Sequence, residues 1–289
     1  MTSWLMPPAT GAAATMACLY EATARKPGNV HPAASFDEAT NYAAFITSAV
    51  VAGPVFARAT AAGVGRTVLD AVRATRHAVA TNTNLGTILL LAPLAAVPGE
   101  TTLAAGLESV LSRLDENDTR AVYEAIRLAG AGGLGRTAEA DVLDDAPPRI
   151  TLVEAMRLAA DRDLVARQYV NGFADVFAGP AAWIEEGLSH GWPLERVIVH
   201  AHVRQMASCP DSLIQRKCGP RVAMEASDRA AAVLQSGSPD EVAYRHSLRE
   251  FDTWLRADGH RRNPGTTADL VAAGLFVLLR EGRLNWTAW

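Results

Sequence analysis

The segment Thr81-Asn82-Thr83-Asn84-Leu85-Gly86 runs directly into Thr87-Ile88-Leu89-Leu90-Leu91-Ala92-Pro93-Leu94, so four small polar residues stand before an almost wholly apolar run. In a chain with helical patterning almost everywhere, this run predicts a buried helix, whose first N–H groups and positive dipole end lack partners. One Asn or Thr is enough to cap such a helix. The four together indicate either a capped core helix after a polar turn or a ligand shell for an anion.

The same pattern recurs at three other places. Arg25-Lys26-Pro27-Gly28-Asn29-Val30-His31 follows an apolar segment, Gly130-Ala131-Gly132-Gly133-Leu134-Gly135-Arg136 is a glycine-dense bend, and Asn263-Pro264-Gly265-Thr266-Thr267-Ala268-Asp269 precedes a second apolar run. Each combines a permissive backbone with polar or cationic side chains, as close approach to a phosphate requires. Their recurrence favours one shared site.

Apolar residues recur at three- and four-residue spacing, and the alternation typical of strands is scarce, so we predict an all-α fold. Capping boxes are expected at Ser35, Thr151 and Ser238. The expected helices, about a dozen, cover 10–24, 36–62, 66–80, 85–97, 101–113, 117–130, 151–161, 165–189, 194–207, 219–236, 239–257 and 266–282. Helices 85–97 and 266–282 are apolar on nearly all faces and should be central. We expect a compact multi-helix bundle that forms a single domain over 1–289, with 138–149 as a surface loop.

Composition narrows the class of protein. The chain has 289 residues and a formal net charge of −4, which argues against nucleic-acid binding. Its three cysteines form no CxxC pair, a usage typical of a reducing compartment. The first nine residues lack the basic region of a signal peptide, and the longest apolar run is too short for a bilayer. We expect a cytoplasmic protein without membrane association, and a homodimer is left open.

Glu21 stands one turn before Lys26-Pro27-Gly28-Asn29, at the end of an apolar helical segment. Its carboxylate either binds Mg²⁺, or orients a sugar hydroxyl, or pairs with a neighbouring cation in an ordinary salt bridge. The Pro-Gly bend projects Lys26, whose ammonium group is a phosphate-binding point charge. His31 is either a general acid or base, or a polar surface residue.

Two later segments carry dense charge. In 161–175, carboxylates, Arg167 and an amide follow helical spacing and form either a solvated helix face or a site for Mg²⁺ and phosphate. In 212–219, Arg216 and Lys217 precede a glycine, which is typical of a helix C-terminus but also suits a phosphate clamp.

Other motifs are uninformative or absent. Glu139 and Asp141 follow the glycine-dense bend and either complete a metal site or cap the next segment. His200 and His202 would point to different faces of a helix, which argues against zinc. The sequence has no Walker A motif, no dinucleotide-binding glycine motif and no serine-nucleophile elbow. An enzyme of this sequence that uses ATP needs another architecture.

At these segments the chain resembles the triphosphoribosyl-dephospho-coenzyme A synthase family. The matching motifs are Glu21 with Lys26-Pro27-Gly28-Asn29-Val30-His31, Asn82-Thr83-Asn84-Leu85-Gly86, Gly132-Gly133-Leu134-Gly135 with Glu139 and Asp141-Val142, and Gly265-Thr266-Thr267-Ala268-Asp269-Leu270. Arg167-Gln168-Tyr169 and Arg216-Lys217-Cys218-Gly219 match as well, so the resemblance covers most of the chain.

The resemblance implies an all-α, Mg²⁺-dependent transferase that joins the ribose of ATP to 3′-dephospho-coenzyme A and releases adenine. The product of that reaction is the precursor of a prosthetic group used by acyl-carrier subunits of citrate lyase and malonate decarboxylase. Displacement at the anomeric carbon C1′ passes through an oxocarbenium-like state. Positioning and electrostatic stabilisation can provide most of the catalysis.

At two places the chain departs from the motifs of that family. There it resembles a divergent branch, found in archaea and in bacteria with tetrahydromethanopterin-type one-carbon carriers. The region 32–38 lacks a His-x-Asp-Met-like element, and 81–86 differs from the TxGVNTHKG of other members. A second hypothesis is therefore a related transferase that makes a methanofuran- or methanopterin-type cofactor from a phosphorylated donor. A third is a non-catalytic, nucleotide-binding helical protein.

The expected site residues form three groups. The catalytic candidates are Glu21, Glu139 and Asp141, and the candidate ligands of an expected Mg²⁺ are Glu139, Asp141 and Asp269. Substrate and phosphate contacts are expected from Lys26, Asn29, His31, Asn82, Asn84, Gly86, Arg167, Arg216, Lys217, Thr266 and Thr267. The expected partners are ATP or a related phosphorylated molecule, and dephospho-coenzyme A or another small acceptor.

Overall fold

The computed structural model describes residues 8–130 and 149–285, and within them the regular elements are helices, apart from an isolated bridge between His31 and Ala34. In chain order these are α1 (Thr10–Thr23), α2 (Tyr42–Phe56), α3 (Ala59–Ala62), α4 (Val64–Ala78), α5 (Leu85–Ala96), α6 (Leu103–Leu111), α7 (Glu116–Ala129), α8 (Leu152–Arg157), α9 (Leu164–Asn171), α10 (Ala174–Val176), a π-helical turn (Phe177–Ala181), α11 (Ala182–Ser189), α12 (Leu194–Ser208), α13 (Ser212–Cys218), α14 (Pro220–Gln235), α15 (Val242–Arg256) and α16 (Gly265–Arg280). The predicted all-α fold is confirmed.

Two apolar helices, α5 and α16, form the centre of the structure. Leu90, Leu91 and Leu94 of α5 are fully buried, as is the run 270–279 of α16. Burying a side chain of this size stabilises a fold by about 1.5–3 kcal/mol. Helix α16 packs against α1, α5, α12 and the π-helical turn, so helices from both ends of the sequence share one core. A smaller apolar cluster joins α12, α13, α14 and α15.

The predicted helix at 36–62 begins later than expected. The Asp37 carboxylate accepts the N–H groups of Ala39 and Thr40, at 2.9 and 2.6 Å, and this closes a turn instead of starting a helix. The helix α2 starts after Asn41, whose side chain accepts the N–H of Ala44 at 3.0 Å. The capping box expected at Ser35 was therefore wrong. The loop that stands in place of the predicted first helical turns lines part of the cavity of the candidate site.

The predicted helix at 165–189 is interrupted twice. Gly172 and Phe173 have positive φ angles of 67° and 62°, which end α9. Gly179 then takes non-helical backbone angles just before Pro180, which has no N–H to donate. The apolar spacing continues through both breaks, and this explains why the pattern alone predicted one helix.

Two further helix starts differ from the prediction. The short helix α13 was missed, although Asp211 caps it by accepting the N–H groups of Leu213 and Ile214 at 2.8 and 3.0 Å. Helix α15 begins at Val242 and not near Ser238, whose N–H donates to the Glu241 carboxylate. The capping box at Thr151 is confirmed. None of the helices in 8–130 and 149–285 is both long and apolar enough to cross a membrane.

Candidate active site

A cavity of about 720 Å³ lies where the N-termini of α5, α9 and α16 meet the C-terminus of α1. Further lining comes from α2, α7, α8 and α13, and from the loops between α1 and α2, between α8 and α9, and before α16. Helix N-termini present unpaired N–H groups and the positive end of the dipole. At α9 the first N–H groups donate to Ser212 and Asp163, and at α16 the N–H of Thr267 donates to Asp211. Helix α5 has no side-chain cap from its N-cap residue Asn84, so its start is the one that favours an anionic ligand.

Eight of the residues predicted as site residues line this cavity, although they are far apart in the sequence. They are Glu21, Asn29, Asn82, Asn84, Gly86, Arg216, Lys217 and Asp269. They come from α1 and the loop after it, the start of α5, the end of α13 and the start of α16. The structure therefore brings the polar corners of the sequence together, while their roles stay a prediction.

A short hydrogen bond in the cavity joins the starts of α5 and α16. The Thr87 hydroxyl donates to Asp269 Oδ1 at 2.6 Å. A Cβ atom on Gly86 would lie only 2.0 Å from Asp269 Oδ2, so a side chain at position 86 would collide with this carboxylate. Gly86 therefore makes room for Asp269, and Thr87 fixes its orientation. The sequence analysis did not single out Thr87.

The carboxyl group of Asp269 is in an environment that disfavours its charge. Burial, together with the carboxylates of Glu21, Asp211 and Asp163, raises its pKa to about 8 against the lowering effect of the Thr87 hydrogen bond. The pKa of the Cys18 thiol is also raised by burial and by Glu21 and Asp269. A proton or a cation in this part of the cavity would therefore be stabilised.

Lys26 was predicted to contact phosphate, but its side chain is fully buried beside Glu21 and does not line the cavity. Its ammonium group lies 2.9 Å from Glu21 Oε1 and donates to the carbonyl oxygens of Glu21 and Ala24. An ammonium group has three donors, and these three acceptors use them. The geometry places Lys26 as a positioning residue for the Glu21 carboxylate.

Thr266 and Thr267 also make structural contacts instead of lining the cavity. The N–H and hydroxyl groups of Thr267 donate to Asp211 Oδ2 at 2.7 and 2.8 Å. The Thr266 hydroxyl accepts from Ser212 at 3.0 Å. These bonds join the start of α16 to the start of α13, and so they help to position Asp269 at the cavity.

Arg167 and His31 likewise lie away from the cavity lining. Arg167 pairs with Asp175 at 2.8 Å within the segment that the sequence singled out for its charge. His31 Nδ1 accepts the N–H of Ala33 at 3.2 Å in the loop before α2. Neither contact needs a ligand.

One rim of the cavity is cationic. Arg216 pairs with Asp163 at 2.6 Å, and Lys217 Nζ donates to Asn263 Oδ1 at 2.9 Å. Burial lowers the pKa of Lys217, and the charge of Arg216 adds to this effect. A bound anion would offset the two effects that lower the pKa of Lys217, its burial and the charge of Arg216. Sequence reasoning missed three further lining residues on this side, Arg162, His260 and Arg261.

His260 and Arg261 had a usable signal, since His260-Arg261-Arg262 stands directly before the Asn263-Pro264-Gly265 motif. The His260 ring packs against Phe36 with ring centroids 4.9 Å apart, and both residues line the cavity. This pair joins the loop before α2 to the loop before α16. No sequence pattern marked Phe36 as a site residue, because 36–62 was predicted to be one helix.

The side chains of two of the three asparagines predicted as site residues make one hydrogen bond each within the protein. Asn82 Oδ1 accepts the N–H of Leu85 at 3.2 Å, and Asn29 Nδ2 donates to the Pro264 carbonyl at 3.4 Å. Asn84 is the N-cap residue of α5, but its side chain does not cap the helix. Asn84 lines the cavity, and its amide makes no cap contact with the helix end, which leaves the ligand-shell interpretation of 81–84 a prediction.

Glu139 and Asp141, predicted as catalytic and metal-binding residues, lie outside the described residues, as does most of the glycine-dense bend. In the described ranges, no three His, Cys, Asp or Glu side chains come together as a metal-binding group. Four carboxylates line the described part of the cavity: Glu21, Asp37, Asp163 and Asp269. Asp163 pairs with Arg216 and Asp37 closes a turn, which leaves Glu21 and Asp269 as the candidate oxygen donors for a cation.

Comparison with known proteins adds independent evidence. A sequence model of the CitG family, described as ATP:dephospho-CoA triphosphoribosyl transferase, matches residues 8–288. Among proteins with curated functions, no significant match was found. The fold is similar to the crystal structure of an Archaeoglobus fulgidus protein provisionally named a triphosphoribosyl-dephospho-coA synthase. The two chains are 28% identical with a TM-score of 0.64, and the similarity covers 81% of this chain and 98% of the other.

Proposed function

The chain belongs to the CitG family of ATP:dephospho-CoA triphosphoribosyl transferases, and from this membership we propose that it joins the ribose of ATP to dephospho-CoA and releases adenine. The observation that carries the proposal is the cavity itself. It combines the uncapped start of α5 and a cationic rim, which suit a triphosphate, with buried carboxylates, which suit a reacting hydroxyl. Members of this family are transferases.

The proposed reaction is a displacement at C1′ of the ATP ribose. A ribose hydroxyl of dephospho-CoA forms a bond to C1′ while the bond from C1′ to adenine breaks. The hydroxyl proton passes to a base on the protein, and the departing adenine takes up a proton. Positive charge develops on the ribose ring in the transition state, so a nearby carboxylate stabilises it.

Glu21 is the residue we assign to the hydroxyl. Its carboxylate lines the cavity and is held by Lys26 from the buried side, at 2.9 Å. A general base must be fixed within hydrogen-bond reach of the proton that it removes. The contact with Lys26 provides this orientation without occupying the cavity.

We assign the triphosphate to the cationic rim and to the start of α5, where Gly86 and Thr87 adjoin Asp269. Arg216, Lys217 and Arg261 supply positive charge there, and Asn84 supplies an amide at the start of α5. Arg and Lys bind phosphate oxygens through charge-assisted hydrogen bonds. Holding donor and acceptor side by side makes the reaction effectively unimolecular, which is a major source of rate enhancement.

Mg²⁺ dependence is part of the proposal. Mg²⁺ is usually held by one or two carboxylates together with substrate phosphates, and the neighbouring Glu21 and Asp269 fit such a donor set. Burial and the neighbouring carboxylates raise the pKa of Asp269, so a cation bound beside it would favour its charged form. When bound, the cation would neutralise charge on the triphosphate.

The test is incubation with ATP, dephospho-CoA and Mg²⁺, followed by detection of adenine and of the product by mass spectrometry. We expect stoichiometric adenine, and Glu21→Gln should slow its release by about 10²–10⁴-fold, as loss of a general base does. Glu195→Gln is the matched control, because that side chain is exposed and pairs only with Arg25 in the described structure. ATP binding without adenine release would contradict the proposal and favour a non-catalytic nucleotide-binding protein.

A further inference from the structure

The cavity has two chemically different sides. One carries the charged and polar groups described above. The other is formed by aliphatic side chains of α7, α8 and the residue after α8, which we call the aliphatic wall: Val122, Ile126, Leu152, Met156 and Leu158. Neither the triphosphate nor a ribose has an apolar surface that would use such a wall.

Leu158 is the exposed member of the aliphatic wall, whereas Val122, Leu152 and Met156 are buried. Its residue is 44% exposed although it lines the cavity. A single exposed leucine is ordinary, but one that continues a wall of apolar side chains inside a cavity marks a place for an apolar ligand group. The neighbouring Ala155 and Ala159 are small and leave room for a narrow chain.

A cation stands at the end of this wall. Arg162 Nη1 donates to the Leu158 carbonyl oxygen at 3.0 Å, and the two residues line the same cavity. The transition from aliphatic to cationic surface thus takes place within one turn of the chain. A ligand that fits here has an uncharged chain joined directly to an anionic group.

Dephospho-CoA has this construction, because a diphosphate joins its adenosine to a long, thin and uncharged pantetheine chain. The five side chains of the wall present no ring, so an adenine, which stacks on an aromatic or guanidinium plane, is better suited to other lining groups such as Tyr123 and Arg162. We propose that the aliphatic wall binds the pantetheine arm of the acceptor, with Arg162 beside the diphosphate. This inference rests on the proposed function for the identity of the acceptor.

The proposed site for the pantetheine arm can be tested by measuring affinities, without catalytic turnover. Calorimetric titration would compare dephospho-CoA with the β-methyl ester of ADP, which keeps the nucleotide and the diphosphate charge but replaces pantetheine by a methyl group. For the wild-type protein we expect dephospho-CoA to bind at least about tenfold more tightly, as burial of several methylene groups predicts.

Leu158→Gln should remove most of this preference and leave the affinity for the methyl ester within about twofold, because the substitution changes only the aliphatic wall. The matched control is Leu128→Gln. Leu128 is similarly exposed, at 39%, but lies outside the cavity lining. This variant should keep the full preference.

The outcomes separate this inference from the proposed function. Equal affinity of the wild-type protein for both compounds, or equal loss for both in Leu158→Gln, would overturn the arm site even if adenine is released. A preference that Leu158→Gln abolishes would support the arm site even if no adenine is released, and the transferase proposal alone would then fall.

Discussion

Lys26 shows how a single buried charge organises the site. The ammonium group is fully buried and is satisfied by Glu21 and the carbonyl of Ala24. Removing one partner of a buried ion pair leaves the other charge uncompensated and costs about 3–5 kcal/mol. We therefore expect Lys26→Met to lower the free energy of unfolding by about this amount in urea denaturation.

A second variant tests the interpretation of Lys26 as a positioning residue. In Lys26→Met with Glu21→Gln, no buried charge is left alone, and we expect part of the stability to return. If Lys26 mainly bound phosphate, the single variant would keep its stability and raise the KM for ATP. That result would restore the role expected from the sequence.

Gly86 gives the second prediction at the scale of a residue. The Cβ atom of Gly86→Ala would press against the Asp269 carboxylate and break its bond with Thr87. A displacement of about 1 Å in an active site can cost about 10²-fold in rate. We expect kcat for adenine release to fall by about that factor, with an unchanged circular dichroism spectrum. Gly99→Ala is the control, since its Cβ would lie 3.6 Å from the nearest atom, on Arg280.

At the scale of elements, Asp211 joins two helix starts. One carboxylate oxygen caps α13, and the other accepts the N–H and hydroxyl of Thr267 in α16. Losing a cap costs about 1 kcal/mol, and leaving buried donors unpaired costs about 1–3 kcal/mol more. We expect Asp211→Ala to lose about 2–4 kcal/mol in urea denaturation, against about 1 kcal/mol for Asp115→Ala, which caps only α7. Equal losses would contradict this account.

Two histidines of α12 should make the free energy of unfolding depend on pH. Burial, with the charge of Arg204, lowers the pKa of His200 to about 4, and burial with the charge of Lys26 lowers the pKa of His202 well below its usual range. Between about pH 6.5 and 4 the unfolded chain binds these protons and the folded protein does not. Stability should therefore fall as the pH falls through this window.

The measurement is urea denaturation at pH 7 and pH 5. Each histidine that stays neutral adds a slope of up to about 1.4 kcal/mol per pH unit. His202→Leu should flatten the dependence, while replacing the exposed His246 by Gln should leave it unchanged. A dependence that is the same in wild-type and His202→Leu proteins would show that His202 does not cause it.

Across the whole molecule, the sequence predicted the class of the fold and the two central helices, because uninterrupted apolar runs have no other stable placement than a core. It missed the breaks at Gly172 and Gly179 and the short helix after Asp211, since apolar spacing does not register local backbone changes. Half of the site was predictable for a related reason. Polar residues at helix starts are visible in sequence, as with Asn84 and Asp269.

The direction in which a side chain points was not predictable. Lys26, Thr266 and Thr267 belong to the right segments, yet their donors are used inside the protein. Leu158 and Arg162 border the cavity because α8 ends where it does, which no motif records. Tertiary packing decides such cases, and it depends on residues far away in the chain.

The central claim is that segments far apart in the sequence form one catalytic site. A double-mutant cycle of Glu21→Gln and Asp269→Asn, read out as the rate of adenine release from ATP and dephospho-CoA, tests it most directly. We expect each single variant to lose about 10²-fold or more, and the double variant to be little slower than the worse single one, because residues that act as a unit are not additive. A single variant with the wild-type rate, or a double variant whose loss is the product of the two, would contradict the claim.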